Sequence, residues 1–139
     1  MFSYVHLRNT PRRHSPHGYD LVVICDTLWI SSAHPSLIHS LCTLISKTNS
    51  EARILVSAGF HTGRPCVGRF FDLCAAGSAL GKLVPDEEAG GIWEKNVLTG
   101  QERPFVAYAD ADEDAQARQL IGIEERAKWC VMSALKWLP

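Results

Sequence analysis

The chain has 139 residues, of which 46% are hydrophobic and 21% charged, a size and composition that suit one soluble globular domain and leave no room for two. Fourteen Lys and Arg against fifteen Asp and Glu give a formal charge of -1, so no field of one sign marks nucleic acid or an anionic membrane as the partner. No apolar run approaches the ~20 residues of a spanning helix, which excludes a transmembrane role.

The five cysteines, Cys25, Cys42, Cys66, Cys74 and Cys130, are odd in number and sit among apolar residues with no Cys-x-x-Cys pair. They read as buried thiols in a reducing compartment, here the cytoplasm. Residues 1 to 18 carry three arginines, three histidines, two prolines and no acid, so they lack the periodic apolar face of a packed element and read as an irregular segment. Pro11 and Pro16 interrupt the amphipathic helix that a mitochondrial presequence would need. Within that segment only Phe2 to Val5 has a strand-like pattern.

From residue 19 to 139 the text becomes regular. Leu21-Val22-Val23-Ile24-Cys25 is a continuous apolar run, the pattern of a strand buried on both faces of a parallel sheet. After Ser31 and Ser32, read as N-caps, the residues Leu37, Ile38, Leu41, Cys42, Leu44 and Ile45 recur at three-and-four spacing and predict a helix with one buried stripe. Arg53 to Ala58 is a second apolar strand ended by Gly59, so strand, helix and strand make a crossover unit.

Val67, Phe70, Phe71, Leu73, Cys74 and Leu80 mark a second helix, stopped in the Gly77 to Gly81 region. Gly90 to Phe105 alternates Ile92, Glu94 and Val97 before Thr99-Gly100, and predicts strand, turn and strand. Asp110, Asp112, Glu113 and Asp114 form an acidic run read as a solvated loop or helix start. Trp129 to Leu135 is the last strand. The sum is an α/β layer structure with an open, mainly parallel sheet. Ligands of such sheets sit at the carboxyl ends of the strands, which here are Cys25-Asp26-Thr27-Leu28-Trp29 and Gly59-Phe60-His61-Thr62-Gly63-Arg64-Pro65.

YDLVVICDTLW, HPSLIHSLCTLI, RILVSAGFHTGRP, FFDLCAAGSAL, GIWEKNVLTGQERPFV and ERAKWCVMSALKW, in that order, resemble the C-terminal half of a class I, seven-stranded S-adenosylmethionine-dependent methyltransferase. More narrowly, the chain is similar to the fungal nicotinamide N-methyltransferase-like group, whose members methylate the N-terminus and a lysine of translation elongation factor 1-alpha. The resemblance covers residues 19 to 137 and implies a partial Rossmann-like sheet of parallel strands with an antiparallel C-terminal strand. It implies S-adenosylmethionine as cofactor and a protein amine as substrate. The SYV near the start resembles the third strand of the family, which there continues into Trp-Gly and here into His6-Leu7. The family's first strand with its Gly-rich turn, and the acidic residue that holds the ribose, have no counterpart in this sequence. The expectation is therefore a truncated methyltransferase that is not competent alone, and the alternative is a non-catalytic binding module derived from one.

The resemblance places Asp26 where a carboxylate orients the substrate amine, against the plainer reading that Asp26 caps the turn into the next helix. Trp29 reads either as the wall of an amine pocket by cation-π contact or as an ordinary aromatic lid on the sheet. Cys25 would touch the adenine side of the cofactor through its backbone, against a plain core cysteine. His61 and Arg64 lie in the loop after the second strand, where they either bind an acidic substrate segment or are simply solvated. His34 and His39 are five residues apart, not the i, i+4 spacing of a metal pair, and Cys66 and Cys74 are eight apart, so no metal site is expected. No Ser-His-Asp arrangement or Gly-x-Ser-x-Gly elbow points to a hydrolase.

Overall fold

The computed structural model describes residues 17–107 and 127–139. The expected strand at Phe2 to Val5, the His6 position and the acidic run from Asp110 to Asp114 lie outside the described residues. The elements in chain order are β1 (Leu21–Cys25), α1 (His34–Leu44), β2 (Arg53–Gly59), α2 (Arg64–Ala76), β3 (Lys82–Pro85), β4 (Ile92–Asn96), β5 (Glu102–Pro104) and β6 (Trp129–Leu138). Short 3-10 turns at Ser31–Ala33 and Glu87–Ala89 introduce α1 and separate β3 from β4.

The crossover unit read from the sequence is present. β1 and β2 pair in parallel, from Leu21 against Arg53 to Cys25 against Ser57, with α1 between them in the chain. The C-terminal strand runs antiparallel, as expected, but its position changes the character of the sheet. β6 enters the middle and pairs antiparallel with β2 on one side and with both β3 and β4 on the other. The order is β1-β2-β6-β4-β5, with β3 also on β6.

The sheet among the described residues is thus mixed, six-stranded and mostly antiparallel, with β1 and β2 its one parallel pair, rather than mainly parallel. The cause is that every ladder of the central strand runs against its neighbour. β1, β2 and β4 still point the same way, because β2 and β4 both oppose β6.

Burial along β1 and β2 alternates, which corrects the expectation of strands covered on both faces. Val22, Ile24, Ile54, Val56 and Ala58 are buried together with Val131 and Leu135 of β6, whereas Leu21, Cys25 and Leu55 are exposed. A period of two is what a sheet with one fully packed face produces. The buried set forms one cluster with Ile38, Leu41 and Cys42 of α1 and with Val67, Phe70, Phe71 and Cys74 of α2. Phe70 is fully enclosed, edge-on to Phe71 at 5.3 Å and to the His34 ring at 5.5 Å.

The helix ends follow local chemistry. α1 begins without a side-chain cap, and its N-cap is Ala33 rather than Ser31 or Ser32. Pro35 in the first turn has no N–H to satisfy and a φ already suited to a helix, so little is lost without a cap. α2 stops at Gly77, whose φ of 74° carries the chain out of the helix in a conformation costly for other residues.

Asp86, at the end of β3, is a join that the sequence did not advertise. Its carboxylate accepts from Arg53 Nε at 2.8 Å and from the Glu88 N–H at 3.3 Å, with Lys136 Nζ at 3.7 Å. The start of β2 is thereby tied to the junction of β3 and β4. The hydrogen bond from Arg53, joined by the charges of Arg53 and Lys136, holds the Asp86 carboxyl below its usual range against the opposing effect of its burial.

Two predictions follow from this packing. Phe70→Ala lowers the unfolding free energy in urea by about 3–5 kcal/mol, whereas Leu21→Ala changes it by less than about 1 kcal/mol; equal costs would mean that both faces of the sheet are packed. A carboxyl with a lowered folded pKa contributes stability that is complete above its unfolded value of about 4 and is lost as the pH falls through the lower folded value. Asp86→Asn therefore flattens the fall of the urea midpoint between about pH 5 and pH 2, and an unchanged acid limb would contradict that role.

Candidate functional site

The two parallel strands end side by side, and there the structure joins two residues that the sequence presented separately. Asp26 follows β1 with a φ of 52°, the one described non-glycine residue in the left-handed region. Residues of this type tolerate that conformation better than most, but it is a cost that local structure must hold in place. The Asp26 N–H donates to the Ser57 carbonyl at 2.7 Å, continuing the ladder by one residue. Its side chain reaches over the end of β2, where Oδ1 accepts from the Gly59 N–H at 3.3 Å and from His61 Nε2 at 2.9 Å. His61 Nε2 also lies 3.2 Å from Oδ2.

An ionised carboxylate only accepts, so a hydrogen bond between the two is donated by the ring nitrogen. Gly59 makes room for this arrangement, since a Cβ there would stand 3.0 Å from His61 Nε2. Asp26 is not the N-cap of α1, a position held by Ala33. The side chains of Asp26 and His61 are 57% and 60% exposed, and an ion pair in that setting adds at most about 1 kcal/mol to stability. The geometry is ordered but not a structural necessity.

Trp29 lies three residues beyond Asp26 in the same turn, with 45% of its surface exposed. The turn is anchored from below at Leu28, whose carbonyl accepts from His34 Nε2 at 2.9 Å and from the Cys66 thiol at 3.3 Å. His34 is fully buried at the first position of α1, while His39 on the same helix is exposed. Cys25 is exposed and its backbone belongs to the β1–β2 ladder opposite Ser57, so it is not the core cysteine of the plainer reading.

The other thiols are free as well. Cys42 and Cys74 are buried, and burial pushes Cys74 up to about 12, leaving it a packing residue without thiolate chemistry. Among the described residues no three His, Cys, Asp or Glu side chains gather as a metal site would require.

Arg64 is engaged within the protein rather than simply solvated, with its side chain 29% exposed. As the first residue of α2 it makes a two-pronged pair with Glu94 of β4, whose side chain is 1% exposed. Arg103 of β5 adds a contact at 3.2 Å to the same carboxylate. The guanidinium of Arg64 lies 4.4 Å from the Phe60 ring centre, and that of Arg103 lies 3.7 Å from Trp129. The sequence showed Glu94 only as the polar member of an alternating strand. Its alternation places it on the packed face, and the two arginines that neutralise it come from distant segments, which no local pattern reveals.

An open depression of about 440 Å³ lined by Gly90, Ile92, Trp93, Glu102 and Arg103 lies at the β4–β5 end of the sheet, away from Asp26.

The chain matches no protein-family model, no curated protein and no solved structure. What the fold and site define is an α/β protein with a mixed open sheet, whose two parallel strands end in an exposed Asp–His pair beside a tryptophan. Among the described residues no helix is long and apolar enough to cross a membrane.

Glu94→Gln is expected to cost about 2 kcal/mol or more of unfolding free energy, because it leaves two guanidinium groups facing a neutral amide against a packed face. Thermal melts of the two proteins check this; a variant as stable as the parent would make the cluster a passive surface feature.

Proposed function

We propose that residues 19–139 carry the substrate side of an S-adenosylmethionine-dependent methyltransferase of Rossmann-like fold, acting in the cytoplasm on a protein amine. A lysine side chain or N-terminus of the kind offered by translation elongation factor 1-alpha is the proposed acceptor. The observation that supports this reading most is topological. A parallel β1–α1–β2 unit is followed by a reversed final strand inserted beside β2, and an aspartate closes β1 at the carboxyl end where open α/β sheets bind ligands. In this reading the Asp26 carboxylate attracts and orients the substrate nitrogen, and the exposed face of Trp29 flanks its positive charge. Cys25 contributes its strand-end backbone to the cofactor side.

The described residues do not fit the whole cofactor. The Gly59–Gly63 turn is the glycine-containing turn at the ends of the paired strands, and the His61 ring lies against Gly59, where an added Cβ would stand 3.0 Å from Nε2. β1 has β2 as its sole ladder neighbour among the described residues, leaving the other edge without the strand that would carry a Gly-rich cradle. S-adenosylmethionine supplies an activated methyl group when bound; what these residues supply is recognition and alignment of an amine. The same turn favours a second reading, a non-catalytic module that keeps the amine-binding end and no longer takes part in transfer.

Isothermal titration of the chain with S-adenosylmethionine is expected to give no micromolar binding. A chimera that joins a Gly-rich, cofactor-holding half of a class I methyltransferase to residues 19–139 is expected to bind the cofactor and to methylate a lysine peptide. Micromolar binding by the chain alone would contradict the divided site, and a folded, cofactor-binding chimera without transfer would favour the non-catalytic module.

A further inference from the structure

The two ends of the sheet are built differently. At one end β5 is Glu102–Pro104, short and exposed, with two charged residues and a proline. β3, on the same side of β6, carries Lys82 and Pro85. Strands of this kind are poor templates for another strand. At the other end β1 is Leu21-Val22-Val23-Ile24-Cys25, with no charge or proline and an unbroken register, and β2 is its one ladder partner among the described residues.

The hydrogen bonds at the ends of β1 fix which of its groups face outward. The Arg53 N–H donates to the Asp20 carbonyl at 2.9 Å, and the Asp26 N–H donates to the Ser57 carbonyl at 2.7 Å. Backbone groups alternate along a strand, so those of Val22 and Ile24 also face β2, whereas the N–H and C=O of Leu21, Val23 and Cys25 face away from it. These three residues are evenly spaced about Val23. An antiparallel copy of the strand, related by a two-fold axis at Val23, sets Leu21 opposite Cys25 and Val23 opposite its own copy. Each such pair exchanges both of its hydrogen bonds, and none of the paired residues is charged.

We propose that β1 is a self-complementary edge through which two copies of this chain join their sheets in a closed, two-fold dimer. The contact is isologous and uses the one undefended edge of each copy, so assembly stops at two. On the open face of the joined sheet, Leu21 and Val23 of both copies form one apolar strip with Leu55 behind it; Leu21 and Leu55 are each 41% exposed in the single chain. Asp20 and Asp26 limit the ladder to β1 itself, because opposed carboxylates repel. Each is drawn back onto its own chain, Asp20 by Asn49 Nδ2 at 2.9 Å and Asp26 by the Gly59 N–H at 3.3 Å. A formal charge of -1 per chain opposes association little. A single short strand pair is a small contact, so the dimer is weak and depends on concentration. The inference does not rest on the methyltransferase reading, whose Gly-rich strand would compete for the same edge.

Sedimentation equilibrium of the 139-residue chain between about 5 and 300 μM tests the pairing. The weight-average mass is expected to rise from 15.4 kDa toward twice that value and no further. Over the same range, native-state exchange of the Leu21, Val23 and Cys25 amides is expected to slow by at least about threefold. V23K sets a cation opposite its own copy on the half-buried open face and is expected to raise the dimer dissociation constant at least about tenfold. L55K places the same charge on the same face one strand in from the edge, and is expected to leave that constant within about threefold. Amide spectra of both variants confirm that they are folded.

A mass that stays at one chain throughout, or that climbs past two, would overturn the proposal. A dimer that survives V23K, or is lost in L55K, would place the contact away from the β1 edge and overturn it as well. The exchange measurement needs neither variant: outer β1 amides indifferent to concentration in a dimerising parent would have the same consequence.

Discussion

The structure depends on where its last strand goes. β6 is ten residues long and, among the described residues, is the only strand with three ladder partners, holding β2 along one edge and β3 with β4 along the other. Without it, the parallel β1–α1–β2 unit and the β4–β5 hairpin have no common ladder. Val131, Ser133 and Leu135 alternate as its buried positions, and Ser133 closes the packed face without an orphaned hydroxyl by donating to the Gly91 carbonyl at 2.9 Å. Two ionic ties strengthen the same joins from outside the ladder. Arg53 with Asp86 fixes the start of β2 to the β3–β4 junction, and Arg64 with Glu94 fixes the start of α2 to β4.

Placing that strand centrally also fixes the site. Because β6 supports β2 through six residue pairs, the end of β2 is rigid enough for β1 to be registered against it, and the final pair, Cys25 with Ser57, delivers Asp26 directly beside Gly59 and His61. The polar chemistry therefore lies on turns that are short and anchored on both sides, at Ser57 above and at Leu28 below. On the far side β1 has no ladder partner among the described residues. A strand edge in this state presents unpaired N–H and C=O groups, the ordinary means by which another strand is recruited.

Much of the fold was legible because it is written in short-range periodicity. Apolar runs marked β1 and β2, three-and-four spacing marked α1 and α2, and Thr99-Gly100 marked the turn between β4 and β5. The illegible part is non-local. Lys82–Pro85 is too short to show a period, yet it is a strand because β6 offers it a ladder.

The apolar run of β1 suggested cover on both faces, but hydrophobicity alone does not distinguish a packed residue from an exposed one such as Leu21 or Leu55. The candidate site divided in the same way. The place of Asp26 and Trp29 in the turn after β1 was legible from the apolar run that precedes them. The contact of Asp26 with His61, 35 residues away in sequence, and the capture of Arg64 by Glu94 are products of register, which no sequence window contains.

The most direct test of this account is hydrogen exchange of individual backbone amides, read by nuclear magnetic resonance under native conditions. If β6 is the strand on which the rest is assembled, the ladder amides of β6 and of the facing segment of β2 exchange last, at the rate set by global unfolding, and those on the outer side of β1 exchange earlier. Early exchange across β6, with β1, α1 and β2 still protected, would mean that the parallel unit stands by itself and that the central strand does not organise the sheet.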